Sequence, residues 1–121
     1  MASRRYIPAR RDVVWLDFEP TKGREIGKYR PALVLSSREY NQRTGLLICC
    51  PISTSIRGGT TEVSISNLKQ PSVVAANLIQ TLAWEERRVK KIVTAKRGEF
   101  RETVLKLLPL IGATEILEDM T

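Results

Sequence analysis

The chain of 121 residues contains no histidine. That absence removes a Ser-His-Asp triad, a Cys-His pair, a His-based zinc site and a two-histidine ribonuclease mechanism. It also has no glycine-rich dinucleotide fingerprint and no P-loop. No apolar run is long enough to span a bilayer. Residues 1–6 are charged and no apolar core follows them, so a signal peptide is not expected. Cysteine is scarce: Cys49 and Cys50 stand side by side and there is no other. Neighbours in a strand point to opposite faces, so the two cannot form an ordinary disulfide with each other. Without histidine they also make a poor metal site. Both read as small packing residues in a reducing cytoplasm. The chemistry left to the chain belongs to Arg, Lys, Glu, Asp, Ser, Thr, Tyr or Cys.

What is abundant is positive charge. Twenty Lys and Arg against 13 Asp and Glu give a formal +7. On a small domain that excess favours an anionic partner: nucleic acid, an anionic membrane or an acidic protein. The length suits one compact domain over residues 1–121, with apolar content sufficient for a single core. There are no internal repeats, low-complexity tracts or linkers.

The hydrophobic pattern places strands first and a helix last. Residues 12–18 alternate around Val13, Val14, Trp15 and Leu16, as a strand does. A loop follows over residues 19–30. Residues 31–37 form a second strand with Pro31 at its first position, and their apolar side chains fall on both faces, which predicts deep burial. Residues 41–45 read as a turn and 46–53 as a third strand. A turn at 56–59 leads into a strand at 60–65. Residues 72–84 are β-branched and aliphatic enough for one long strand, or two joined by a bend. A last short strand is expected at 89–93. In the tail the period changes: Phe100, Val104, Leu107, Leu108 and Ile111 mark one helix face, with Gly112 as its cap. Pro109 should kink the last turn or tighten it. The class is mainly β with a C-terminal helix, built on a small, strongly bent antiparallel sheet or barrel.

The segment from Asp17 to Ser36 carries the strongest functional signal. A glycine-punctuated, mostly basic loop ends in Arg30, fixed against Pro31 at the head of a buried strand. The residue before proline is confined to extended backbone, so one guanidinium is held on a rigid scaffold beside a loop. A guanidinium offers planar, bidentate donors to a phosphate at any working pH. The bland alternative is a solvated arginine. Glu25 sits in the same loop, and its bland role is a surface pair with Lys22, Arg24 or Lys28. Ser53 and Thr54 end the third strand, where hydroxyls commonly cap backbone groups. Lys22, Arg24, Lys28 and Arg57 with Arg30 place cations in the two loops flanking one sheet edge. Tyr29 and Trp84 are candidates to stack on bases, although the apolar neighbours of Trp84 favour a core or interface position.

Taken in order, Asp12 to Pro20, Gly23 to Ser36, Tyr40-Asn41, Pro51 to Thr54, Val73 to Trp84 and Leu110 to Gly112 resemble the MazF/PemK toxin family, the endoribonucleases of bacterial toxin–antitoxin pairs. The likeness runs from about Tyr6 to Gly112. Its most specific part is Gly23-x-Glu25 followed by Arg30-Pro31. The resemblance implies an SH3-like small antiparallel barrel of the PemK/CcdB type with appended helices. It implies a homodimer, single-stranded RNA as substrate, a labile acidic MazE-like antitoxin as inhibitor, and no metal or other cofactor. Arg30 matches the family's catalytic arginine, Ser53 its catalytic threonine and Glu25 its loop glutamate. By the same resemblance, Lys22, Arg24, Lys28, Tyr29, Thr54, Arg57 and Asn77 are expected on the RNA-contact surface. The chain departs from the pattern at Arg11, where the family usually has glycine, at Ser53, and at Asn77-Leu78, where some members have Asp-Gln. Two other classes remain as alternatives: a non-catalytic SH3-like RNA-binding module, and a gyrase-poison relative acting on a protein. Arg30 together with Ser53 favours the nuclease.

Overall fold

The computed structural model describes residues 5–20, 23 and 27–121. Among the described residues seven strands form the body: β1 (Asp12–Asp17), β2 (Tyr29–Val34), β3 (Leu46–Ser53), β4 (Glu62–Ile65), β5 (Ser72–Ala75), β6 (Gln80–Ala83) and β7 (Lys90–Thr94). Three helices accompany them: α1 (Arg38–Thr44), α2 (Arg97–Leu107) and α3 (Ala113–Asp119). All strand pairs are antiparallel, in the order β4-β5-β3-β2-β1-β7, with β6 on β3. The first half of β3 pairs with β6 and its last two residues pair with β5. The sheet curls around this long strand into a half-barrel: no described pair joins β4 to β7.

The strands are apolar on both faces because the curled sheet has a core on each side. Val13, Leu33, Cys50, Ile52, Val63 and Val74 pack on one side, with Phe100 of α2 against them. Val14, Leu16, Phe18, Val34, Cys49 and Trp84 pack on the other. Consecutive residues therefore split between the cores: Val13 from Val14, Leu33 from Val34, Cys50 from Cys49. Each fully buried large side chain contributes about 1.5–3 kcal/mol relative to exposure. The cysteines are buried and free, on opposite faces as the strand geometry requires.

Several local expectations need correction. Residues 41–45 are not a simple turn; α1 spans Arg38–Thr44. Its signals are caps: Ser37 Oγ accepts the Tyr40 N–H, and Gly45 closes the helix at φ 72°. The seven helical residues are polar apart from Tyr40, so no apolar period announces them. Residues 72–84 divide into β5, a 3₁₀ turn at Ala76–Leu78 and β6, the bent alternative. Trp84 opens a further 3₁₀ turn and is buried, its Nε1 donating to the Asn41 carbonyl at 2.9 Å. It is a core residue and is not available to stack on a base. Proline does tighten the tail: α2 stops at Leu107 and Leu108–Ile111 is a 3₁₀ turn ending at Gly112, φ 78°. The expected helix face breaks there, and Ile111 is 62% exposed. The α3 helix was not anticipated. Arg11, in the family's glycine position, adopts φ 77°, a left-handed conformation costly for a residue with a Cβ. Its guanidinium donates through Nε and Nη2 to the Ala95 carbonyl, tying that turn to the end of β7.

Between α2 and the sheet lies an apolar groove of about 610 Å³, bordered by Leu35, Ile48, Ile79, Phe100, Val104 and Leu107 among others. Among the described residues, no helix is long and apolar enough to cross a membrane.

Candidate active site

The loop between β1 and β2 is anchored at its neck. Phe18 is buried, and its N–H donates to the Lys28 carbonyl at 2.9 Å. The Lys28 N–H donates to Glu19 Oε1 at 2.8 Å. Arg87 Nη1 donates to the carbonyls of both Asp17 and Glu19, at 3.0 Å each. Lys28 itself has φ 71°. A lysine in that region costs of order 1–3 kcal/mol, and such outliers gather at functional sites. Both backbone groups of Lys28 are bonded, so the neck holds it in place and directs the chain into Tyr29 and Arg30.

Arg30 is the second residue of β2, not the last of the loop as the sequence suggests. It pairs with Leu16 of β1. Across the other edge, β2 and β3 pair through Ala32 and Pro51. Beyond that pair the strands run on to Arg30 and to Ser53, the last residue of β3, which pairs with Val73 of β5. Arg30 and Ser53 line one cleft of about 210 Å³, together with Lys28, Tyr29, Thr54 and Ser72.

The Arg30 guanidinium is half-buried, and its Nε donates to the Gly27 carbonyl at 2.6 Å. No described carboxylate pairs with it. Burial lowers its pKa below the ordinary arginine value. It stays charged at any working pH, with part of its hydration already removed. An anion entering the cleft meets a pre-oriented donor fork.

Ser53 Oγ accepts the Ser55 N–H at 3.0 Å, so the capping role of a strand-end hydroxyl is real. The bond uses one lone pair and leaves the hydroxyl proton free to be donated. Arg57 and Asn77 do not share the Arg30 cleft. They border a second depression of about 380 Å³ whose wall also includes Ser53. Ser53 thus stands between the two hollows. Glu25, Lys22 and Arg24 lie outside the described residues.

Sequence reasoning missed Trp15, Arg88 and the neck residues Glu19 and Arg87. Trp15 carried no periodic signal: it shares its strand face with the fully buried Val13, yet it is 37% exposed. Arg88 and Arg87 had none, because only the fold brings β7's approach beside β1.

Residues 9–111 match the family described as PemK-like, MazF-like toxins of type II toxin–antitoxin systems. The chain belongs to this family. It is 38% identical over 108 residues to the endoribonuclease toxin MazF of Escherichia coli K12, covering 89% of this chain and 97% of that one. A crystal structure of MazF from Deinococcus radiodurans superposes with a TM-score of 0.86 at 38% identity, covering 89% of this chain and 99% of that one. A chain of a MazE-MazF crystal structure from the same organism also matches, at TM-score 0.76, 35% identity and the same coverage. The PemK-like match ends at residue 111, before α3.

Proposed function

We propose that the protein is a sequence-specific, metal-independent endoribonuclease, an mRNA interferase toxin acting on single-stranded RNA. The observation that carries this reading is the meeting of Arg30 and Ser53 in one cleft, with the guanidinium half-buried and held through Nε alone among the described residues. The ribose 2′-hydroxyl next to the scissile phosphate attacks phosphorus, the P–O5′ bond breaks with O5′ taking a proton from water, and the products carry a 2′,3′-cyclic phosphate and a 5′-hydroxyl. Arg30 stabilises the charge that accumulates on the phosphorane oxygens. Ser53 donates its proton to a phosphate oxygen or holds the 2′-hydroxyl, with Thr54 beside it. Glu25 takes the 2′-hydroxyl proton as general base. DNA lacks the nucleophile and is not cut. Lys28, Lys22, Arg24 and Arg57 supply affinity. If about five cations contact phosphates, the log–log salt slope is roughly −3.5.

In this reading residues 1–121 act as one cytoplasmic toxin domain. The domain works as a homodimer and is neutralised by an acidic MazE-like antitoxin. The MazE-MazF complex of a relative supports the last point. The apolar groove at α2 and the exposed Leu105, Leu110 and Ile116 support the dimer.

The test is to incubate the protein with a long single-stranded RNA in EDTA, beside Arg30→Ala, and to map the fragment ends. Discrete cuts with 5′-hydroxyl ends, lost in the variant, are expected. RNA that is shifted on a gel but stays intact, repeated with a second unrelated RNA, would move the protein to the binding-module class.

A further inference from the structure

Tyr29 belongs to two arrangements. At the head of β2 it forms part of the rim of the Arg30 cleft. Its ring also lies against Trp15, with centroids 5.4 Å apart and planes inclined by 20°. The Arg88 Cζ lies 4.0 Å from the centroid of the Tyr29 ring, and the Tyr29 hydroxyl donates to the Arg88 carbonyl at 2.9 Å. Strand register builds the rest. Trp15 faces Pro31 on one side and Lys90 on the other, while Asp17 faces Tyr29.

This aromatic pair does no core work. Val13, Val14 and Leu16, which flank Trp15, are fully buried, whereas Trp15 and Tyr29 remain 37% and 36% exposed. Yet the same domain buries Trp84 and Phe18 almost completely. The stack is held open by polar contacts: Arg88 Nη2 lies 3.7 Å from Asp17 Oδ2, which orients the guanidinium while leaving it largely exposed. Lys90 makes no ion pair with a described residue.

We propose that the Trp15–Tyr29 stack, flanked by Arg88 and Lys90, is a subsite that holds one unpaired nucleobase of the RNA next to the phosphate bound at Arg30. The inference rests on the endoribonuclease reading of the cleft. Continuity is the first argument: Tyr29 both borders the Arg30 cleft and carries the stack with Trp15. Chemistry is the second. An unstacked base presents a flat π face that aromatic and guanidinium planes accept, and losing one such contact weakens binding by roughly 5- to 150-fold. Charge is the third, because Lys90 lies opposite Trp15 in β7 and Arg88 lies over the Tyr29 ring, which puts two cations beside the stack for the phosphates of the RNA strand. A π platform accepts every base, so the subsite sets affinity and registration more than it sets the cleavage motif. Its loss therefore acts on KM more than on kcat.

The experiment uses a short labelled RNA carrying the mapped cleavage motif, with a 2′-methoxy group at the scissile nucleotide to block attack. Versions with a single abasic position on either side are bound to the wild type, Trp15→Leu and Trp15→Phe, and Kd is read by fluorescence anisotropy. Thermal melts confirm that each variant is folded. One abasic position is expected to weaken wild-type binding by about 10-fold, within the range of a single stacking contact. Trp15→Leu should weaken the intact RNA by a similar factor and be indifferent to that abasic position, and Trp15→Phe should recover most of the loss. Multiplicative penalties in the Trp15→Leu variant would overturn the proposal. So would unchanged RNA binding, including the case where Trp15→Leu loses only the antitoxin, which would give this surface to a protein partner. Wild-type protein that leaves RNA uncut strikes the functional reading itself, through the Arg30 assay, and takes the subsite with it.

Discussion

The groove beside α2 encloses about 610 Å³ behind Leu35, Ile48, Ile79, Phe100, Val104 and Leu107, whereas the cleft at Arg30 encloses about 210 Å³ behind Lys28, Arg30, Ser53 and Thr54. The larger hollow is the chemically poorer one. Its walls are mostly aliphatic and aromatic, so it measures apolar surface awaiting a cover. The smaller one concentrates a partly desolvated guanidinium, a hydroxyl with an uncommitted proton and an exposed lysine. Volume alone would send attention to the groove; the side proposed to carry the chemistry is marked by a charge that folding has stripped of part of its water without giving it a described carboxylate.

The comparison can be broken by altering one hollow at a time. The largest effect is expected at Arg30. Removing one well-placed donor to a developing oxyanion typically slows reaction by roughly 10²–10³-fold. Arg30→Lys should recover little of this, because a point charge does not replace a planar fork. Single-turnover cleavage rates check both variants, and light scattering should show their oligomeric state unchanged. A lysine variant within a few-fold of the wild type would reduce the role of Arg30 to simple charge. Next comes Val104→Glu in the groove. A carboxylate forced against an apolar partner should weaken self-association by on the order of 100-fold. Sedimentation equilibrium should then show monomer where the wild type is dimeric at micromolar concentration. A wild-type monomer would sink the dimer. The smallest effect belongs to Ser53→Ala, expected at about 10-fold in kcat, the scale of one hydrogen bond to a charged group. Ser53→Thr should retain activity, while a fully active alanine variant would pass the role to Thr54.

The sheet was legible because strand periodicity survives burial. Residues 12–18, 46–53 and 89–93 came within a residue or two of β1, β3 and β7, and the tightening at Pro109 followed from a missing N–H. The helices were read less well. The α1 helix is a polar segment of about two turns specified by Ser37 and Gly45, and α3 is a seven-residue segment past the expected cap. Neither offers enough turns for an apolar stripe to register. At the site, Arg30 was legible from its place before Pro31 and Ser53 from its place at a strand end, the family likeness gave both their expected roles, and the fold brings them to one cleft. Trp84 was separable from Tyr29 by its apolar neighbours. The neck residue Arg87 and the platform residue Arg88 were not readable, because the partners they act on are about 70 and 59 positions away in the chain.

Cys49 and Cys50 offer a way to watch this molecule come apart. One dipeptide places a thiol in each of the two cores. Burial pushes the Cys50 thiol up to about 12 and raises that of Cys49 as well, with its neighbour adding to the effect. Thiolate is the reactive form, so neither should be alkylated in the native protein near neutral pH. In dilute denaturant each becomes a chemical clock for the opening of its own side of the half-barrel. Mass spectrometry of iodoacetamide-treated protein, digested to the peptide spanning both residues, would show which clock starts first. Simultaneous modification would mean that the two sides unfold as one cooperative unit. Prompt labelling without denaturant would contradict the burial of the pair.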